Sequence, residues 1–446
     1  MSNAPLATAE SIAEVTRPLQ GTREDYDPIL ELVGRARVVL LGEASHGTHE
    51  FYHERTRITK RLIQELDFNA IAIEGDWPDA YRVNRYIRAQ STAADAEAAL
   101  AGFRRFPAWM WRNSETLELV GWLRAHNHVG RGLEREVGFY GLDLYSLHAS
   151  MEAVLSYLDR VDPAAAARAR SRYGCFEVFG SDPQSYGYTA SLDLSQSCED
   201  EVVHQLQELQ GQRDRLARRD GFLAEDEYFY AEQNARVVKG AERYYRTMFR
   251  GQIASWNLRD THMADTLDAL LAHLDAQVGR SKVVVWAHNS HVGDARATEL
   301  GEAGELNLGQ LARQRYENET AIIGFTTYQG TVTASRDWGE PPERRQVRPG
   351  LGGSYEAVLH QTGLERFLID LRQEAAAEVL HPERLERAIG VIYRPESERR
   401  SHYFFAHLAD QFDAVIHIDE TRALQPLERT TEWEKGEAPE TFPTGM

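Results

Sequence analysis

Val38-Val39-Leu40-Leu41-Gly42-Glu43-Ala44-Ser45-His46-Gly47 opens the segment from which the fold of this chain is read. Its first part is apolar and of strand length; its second is a polar turn bounded by glycines. From about Thr48 to Glu65 the period changes. Phe51, Arg55, Ile58 and Leu62 step by four, three and four, which puts them on one face of a helix. A second short apolar run, Ala70–Ile73, follows. Strand, helix and strand in this order predict a βαβ crossover, the unit of a parallel sheet.

Further runs of this kind lie at Gly138–Gly141, Lys282–Ala287, Ala321–Phe325, Phe367–Leu371, Ile389–Tyr393 and Ala414–Ile418. Most are continuously apolar rather than alternating, as strands covered on both faces are. The predicted fold is α/β: a mainly parallel sheet flanked by helices, with a large, mostly helical insertion over 145–275, between the third and fourth of these strands. In that block Met151, Val154, Leu155 and Leu158 recur at helical spacing, and so do Tyr230, Val237, Ala241, Tyr244 and Met248. A further helical stretch runs from Asp260 through Leu274. Tyr173–Tyr188, punctuated by Gly174, Gly180 and Gly187, reads as an ordered loop. Gln329–Tyr355 carries Pro341, Pro342, Pro349, Gly350, Gly352 and Gly353 and reads as a second long loop. One catalytic domain over 20–430 is expected, followed by an acidic, solvated tail at 432–446.

Of 446 residues, 42% are hydrophobic, enough for a sizeable core, and the formal net charge is −19. So acidic a surface repels phosphate backbones and anionic headgroups, and neither a nucleic acid nor a membrane is expected as a partner. The apolar runs are far shorter than the ~20 residues a bilayer requires. Met1 to Pro5 lack a basic stretch leading into an apolar one, so no signal peptide is expected and the cytoplasm is the expected location. Cys175 and Cys198 are expected as two free thiols.

In open parallel sheets ligands sit beyond the carboxyl ends of the strands. Here the first strand delivers Glu43 and His46 to that edge, the second Glu74 and Asp76, the third Asp143, and the fourth His288 and His291. Glu74 follows an apolar run, and a buried carboxylate needs a partner or a proton. Arg55 lies on the sheet-facing side of the first helix, within reach of Glu43 or Glu74, or of a developing oxyanion. His49 and His53 fall on the opposite face and read as solvated. Missing motifs narrow the chemistry. There is no Gly-x-Ser-x-Gly elbow, no Walker A loop and no Gly-x-Gly-x-x-Gly after the first strand. Trp77, Trp109, Trp111, Tyr140 and Trp338 receive no binding role, because core packing explains such side chains equally well.

Gly42-Glu43-Ala44-Ser45-His46-Gly47, Arg55 and Glu74-Gly75-Asp76-Trp77-Pro78 together resemble the erythromycin esterase family. The likeness continues in Phe139-Tyr140-Gly141-Leu142-Asp143, Trp256-Asn257-Leu258-Arg259-Asp260 and Trp286-Ala287-His288-Asn289-Ser290-His291-Val292-Gly293, and it runs from Val38 to Arg422. The resemblance implies a hydrolase that opens a macrolide lactone by attack of water on the ester carbonyl, with His46 as general base. It implies Glu43, Arg55, Glu74, His288 and His291 in the same pocket, with Asp143 and Arg259 binding substrate. A small-molecule ester or lactone is then the expected ligand, with no cofactor and no metal. A histidine base suits neutral pH, since imidazole in water titrates near ~6.5. Two other readings stay open: a divalent-metal-dependent hydrolase built on the same His/Glu cluster, because imidazole and carboxylate suit Zn²⁺ or Mn²⁺, and a non-catalytic module binding a small molecule or haem.

Overall fold

A computed structural model of the protein describes residues 9–129, 136–180, 182–192, 197–217 and 222–435. Its strands are β1 (Thr16–Pro18), β2 (Val38–Leu41), β3 (Ala70–Asp76), β4 (Gly138–Asp143), β5 (Val283–Trp286), β6 (Thr320–Ala334), β7 (Glu343–Val347), β8 (Arg366–Asp370), β9 (Arg384–Arg387), β10 (Tyr403–Ala406) and β11 (Ala414–Thr421). The main sheet runs β1-β8-β11-β6-β2-β5-β3-β4, with β7 paired to the far end of β6; β9 and β10 form a separate pair. From β11 through β4 every neighbouring pair is parallel, and the edge strands β8 and β1 are antiparallel. The fold is α/β with a mostly parallel sheet, as the sequence predicts.

Burial on both faces explains why β2 is apolar throughout. Val39 and Leu41 pack on one side against Phe51, Ile58 and Leu62 of the helix His49–Glu65. Val38 and Leu40 pack on the other against Met263, Leu267 and Leu270 of the helix Gln252–Val278. The register is level: Leu41 lies opposite Trp286 and Ile323, and Ile73 opposite Trp286 and Gly141. The carboxyl ends of β2, β3, β4 and β5 therefore open onto one edge.

Between β4 and β5 the chain is helical: Leu147–Val161, Pro163–Tyr173, Pro183–Leu192, Glu199–Gly211, Phe222–Met248 and Gln252–Val278 are its main segments. They close around their own core, which includes Tyr157, Phe176, Tyr186 and Tyr228. The last of these helices belongs to both layers. Its middle covers the sheet, while its first turns carry Trp256, Arg259 and Asp260 to the strand ends.

Several expectations are corrected. Tyr173–Tyr188 is not a loop but a 3₁₀ segment, Gly174–Phe179, followed by the helix Pro183–Leu192. Cys175 and Cys198 are not free: packing of these segments brings their Cα atoms to 6.0 Å and a disulfide joins them. Gln329–Tyr355 begins as strand, because β6 continues to Ala334 and turns back into β7. Ile389–Tyr393 contributes only isolated bridges, from Ile389 to Ser45 and from Ile392 to Ser335; the strand lies just before it, in β9. Thr431–Lys435 forms a short helix whose Trp433 donates to the Thr333 hydroxyl (2.8 Å), so the tail is docked that far; 436–446 lie outside the described residues. Among the described residues no helix is long and apolar enough to cross a membrane.

The turn after β2 is fixed by Gly47. Its carbonyl accepts from the amides of Thr333 (2.9 Å) and Leu424 (2.8 Å), and a Cβ at this position would lie 1.8 Å from the Thr333 carbonyl oxygen. A methyl group there forces the backbone apart. Gly47→Ala is expected to cost about 1–3 kcal/mol, the range for overpacked sites, and to lower the calorimetric melting temperature by several degrees; an unchanged melting temperature would show slack in the turn.

Candidate active site

Glu43 leaves β2 pointing into the protein and is buried. One of its oxygens faces His46 Nδ1 at 2.9 Å, and the other accepts from Arg55 Nη2 at 2.6 Å. Arg55 is fully buried, with its guanidinium 4.4 Å from the Tyr52 ring centroid and 4.6 Å from that of Trp286. Its place on the sheet-facing side of the helix is the expected one. It pairs with Glu43 rather than Glu74, and it sits behind the cavity rather than in its wall. Because Nδ1 of His46 faces a carboxylate, it carries the proton, and Nε2 is left as an acceptor.

That second nitrogen lies 4.0 Å from Oε1 of Glu74, which projects from β3. Glu74 is the hub of the cluster. Its Oε1 accepts from Arg259 Nη2 (2.7 Å) and lies 3.3 Å from His291 Nε2, and its Oε2 accepts from the His288 backbone amide (2.9 Å). Burial works to raise its pKa, but His291 and Arg259 outweigh burial and hold it well below the usual carboxylate range. Arg259 also forks onto Asp143, with Nε and Nη2 at 3.0 and 2.7 Å from the two carboxylate oxygens. Asp143 likewise stays below its ordinary pKa despite burial, because of Arg259.

The two histidines after β5 differ in their surroundings. His288 caps its own short turn: Nδ1 accepts from the Ser290 amide (3.2 Å), with the Ser290 hydroxyl at 2.8 Å. The remaining N–H is then on Nε2, a buried atom that faces the Ala44 carbonyl and has no well-aligned hydrogen-bond partner among the described residues. Burial, and then the proximity of His46 at 4.8 Å between ring centroids, push its pKa well down, so His288 is neutral. His291 contacts both oxygens of Asp260 through Nδ1, at 2.8 and 3.0 Å, and stacks on Trp256 at 4.5 Å. Burial opposes its charge, but Asp260 and Glu74 prevail and its pKa is pushed up to about 9.

These groups line a cavity of about 520 Å³ that also exposes Asp76, Arg105, Phe106, Trp111, Tyr145, Trp256 and Trp338. That is the size of a small-molecule site. Of the expected residues, His46, Glu74, Asp143, Arg259, His288 and His291 meet at its floor, while Glu43 and Arg55 support His46 from behind. Trp77, stacked on Tyr81 and Tyr140, belongs to the core. His49 is partly buried against Glu115 at 2.6 Å, away from the cavity. Sequence reasoning missed the contributions of Asp260, Trp256 and Arg105, the last paired with Asp76 at 2.9 Å. Asp260 stood within a quoted motif, and that membership was the available signal. Among the described residues no three His, Cys, Asp or Glu side chains converge as a ligand group for a metal.

Removal of Arg55 tests the buried support. Arg55→Met is expected to cost about 3–5 kcal/mol, because it leaves the buried Glu43 carboxylate without its cation and with His46 alone as a partner. Adding Glu43→Gln should recover part of that loss in chemical denaturation, and a double variant no more stable than Arg55→Met would refute the pairing.

A family model described as Erythromycin esterase matches residues 63–421. Over 421 residues the chain is 23% identical to erythromycin esterase type II of Escherichia coli, with 89% of this chain and 93% of that one covered. In structure it is similar to a succinoglycan biosynthesis protein at 22% identity and a TM-score of 0.75, covering 94% of this chain and 97% of that one. It is also similar to a mutant of the erythromycin esterase EreC in an open conformation, at 18% identity and a TM-score of 0.60, covering 89% and 93%. At these identities the solved structures speak to the fold alone. The match of the family model over most of the sequence decides the matter: the chain belongs to the erythromycin esterase family, and that membership supports a hydrolase of the erythromycin esterase type.

Proposed function

We propose that this hydrolase cleaves a small-molecule carboxylic ester or lactone with water activated by His46. One observation carries the reading: His46 has one ring nitrogen held by buried Glu43, and the other is 4.0 Å from the buried carboxylate of Glu74 inside the cavity. Atoms that far apart can both hydrogen-bond a single water. In this reading Nε2 of His46 takes a proton from that water while its oxygen attacks the ester carbonyl carbon. Glu43 holds the ring and stabilises the imidazolium that forms. The tetrahedral oxyanion falls to His288, whose ring has no well-aligned acceptor for its Nε2 N–H among the described residues and lies beside His46. Collapse breaks the bond to the alkoxy oxygen, which leaves with the proton held by His46. Arg55 acts through Glu43, and Arg259 and Asp143 brace the cavity wall. The name of the Escherichia coli relative makes macrolide lactones one class to screen.

Ester hydrolysis asks for both aids. A positioned base supplies about 10²–10⁴-fold and one oxyanion donor about 10²–10³-fold. A panel of esters and lactones, macrolides included, run against wild type and His46→Ala side by side tests the reading. His46→Ala is expected to lose about 10²–10⁴-fold in kcat with its circular dichroism and melting temperature nearly unchanged. His288→Ala is expected to lose about 10²–10³-fold in kcat with little change in KM. Wild-type turnover in His46→Ala, or hydrolysis of nothing in the panel by the wild type, would sink it.

A further inference from the structure

We propose that Asp260 is a positioning residue: it holds His291 as an imidazolium, and that cation, together with Arg259, keeps Glu74 ionised and aimed at His46. The case begins with a count of charge. Glu74, Asp143 and Asp260 are all buried within one cluster, and Arg259, which bonds the first two, is a single positive charge. A second cation is needed for three carboxylates to remain charged away from water, and His291 is the group placed to be it; it counters the burial that shifts the Asp260 carboxyl above its ordinary pKa.

The contacts with the two carboxylates agree. Asp260 spends both oxygens on His291 Nδ1, and its Oδ2 also accepts from the Leu308 amide at 2.8 Å, which fixes the carboxylate plane. With Nδ1 committed, Nε2 meets Glu74 Oε1 at 3.3 Å. A neutral ring would turn a lone pair on that carboxylate; an imidazolium donates to it. Nη1 of Arg259 also lies 2.9 Å from Nε2, a neighbouring cation against which the two carboxylates must hold the proton. The face of Trp256, nearly parallel to the ring, favours a cation further.

The charged and titratable groups facing His291 come from four places. Asp260 and Arg259 lie on the helix Gln252–Val278, Glu74 on β3, Glu305 in the segment before Leu308, and His288 on its own turn. Asp260, Glu74 and Glu305 favour the proton, while Arg259 and His288 oppose it.

The catalytic consequence rests on the hydrolytic reading; the charge of His291 does not, so the test has two arms. In ¹⁵N-histidine-labelled protein, with His291 assigned from His291→Gln, both ring nitrogens of wild-type His291 should stay protonated through pH 8 and titrate near 9. In Asp260→Asn, which keeps an acceptor for the Leu308 amide, that titration should fall by about one unit or more. In the kinetic arm, the alkaline limb of kcat/KM should move down by the same interval. At pH 8 kcat should drop about twofold for a one-unit fall and about tenfold for a two-unit fall, with KM nearly unchanged, and most of the loss should return at pH 6. A wild-type His291 already neutral at pH 7 overturns the proposal even if the variant fails to fold. So does a His291 titration that Asp260→Asn leaves in place. If no ester is turned over, the hydrolytic reading fails separately, and the spectra still decide the charge.

Discussion

Compensating carboxylates where water is excluded is the constraint around which this protein is arranged. Glu43, Glu74, Asp143 and Asp260 are each nearly sealed from solvent, and each lies against a group that carries or shares positive charge. An uncompensated charge in such a place costs several kcal/mol, so the positions of Arg55, Arg259 and His291 are not free to drift. None of these cations is near its carboxylate in a continuous run of sequence. Arg55 reaches Glu43 across a helix-to-strand packing contact, and Arg259 reaches Glu74 from a helix that enters the sheet much later. The level register of β2, β3, β4 and β5 is what lets these distant contributions meet.

The same arrangement assigns different states to three chemically identical side chains. His46 is tethered by a carboxylate at one nitrogen and open at the other; His288 is wedged against another histidine and stays neutral; His291 is pressed between two carboxylates and an indole. Neighbours separate the roles, as they do wherever like groups share a site.

Much of this was legible before any coordinates. The continuous apolar runs marked a sheet covered on both sides, and the residues just after each run marked the site. The 4-3-4 spacing put Arg55 on the buried face of its helix. It could not say whether the guanidinium would meet Glu43 or Glu74, because that depends on how the helix is rotated against β2. Asp260 escaped notice for a related reason. Neighbours on a helix diverge by about 100°, so Arg259 gave no hint that the next residue would serve the same cluster from another side. Proline and glycine in 329–355 suggested a loop, yet Thr331–Ala334 pair with β7 as an ordinary antiparallel ladder. The cysteines gave no spacing signal, since only the packing of the helical layer brings Cys175 to Cys198.

The helix Gln252–Val278 has one more implication. It holds Arg259 and Asp260, so the electrical neutrality of the β3 terminus is borrowed from an element outside the sheet. Were that helix to swing aside to admit a bulky molecule, Glu74 would lose its guanidinium and His291 its anion in a single movement. Glu74 would then bind a proton more tightly and His291 less. The proton that His291 gives up would find Glu74 at 3.3 Å, so the movement would shift a charge within the cluster and leave both groups neutral.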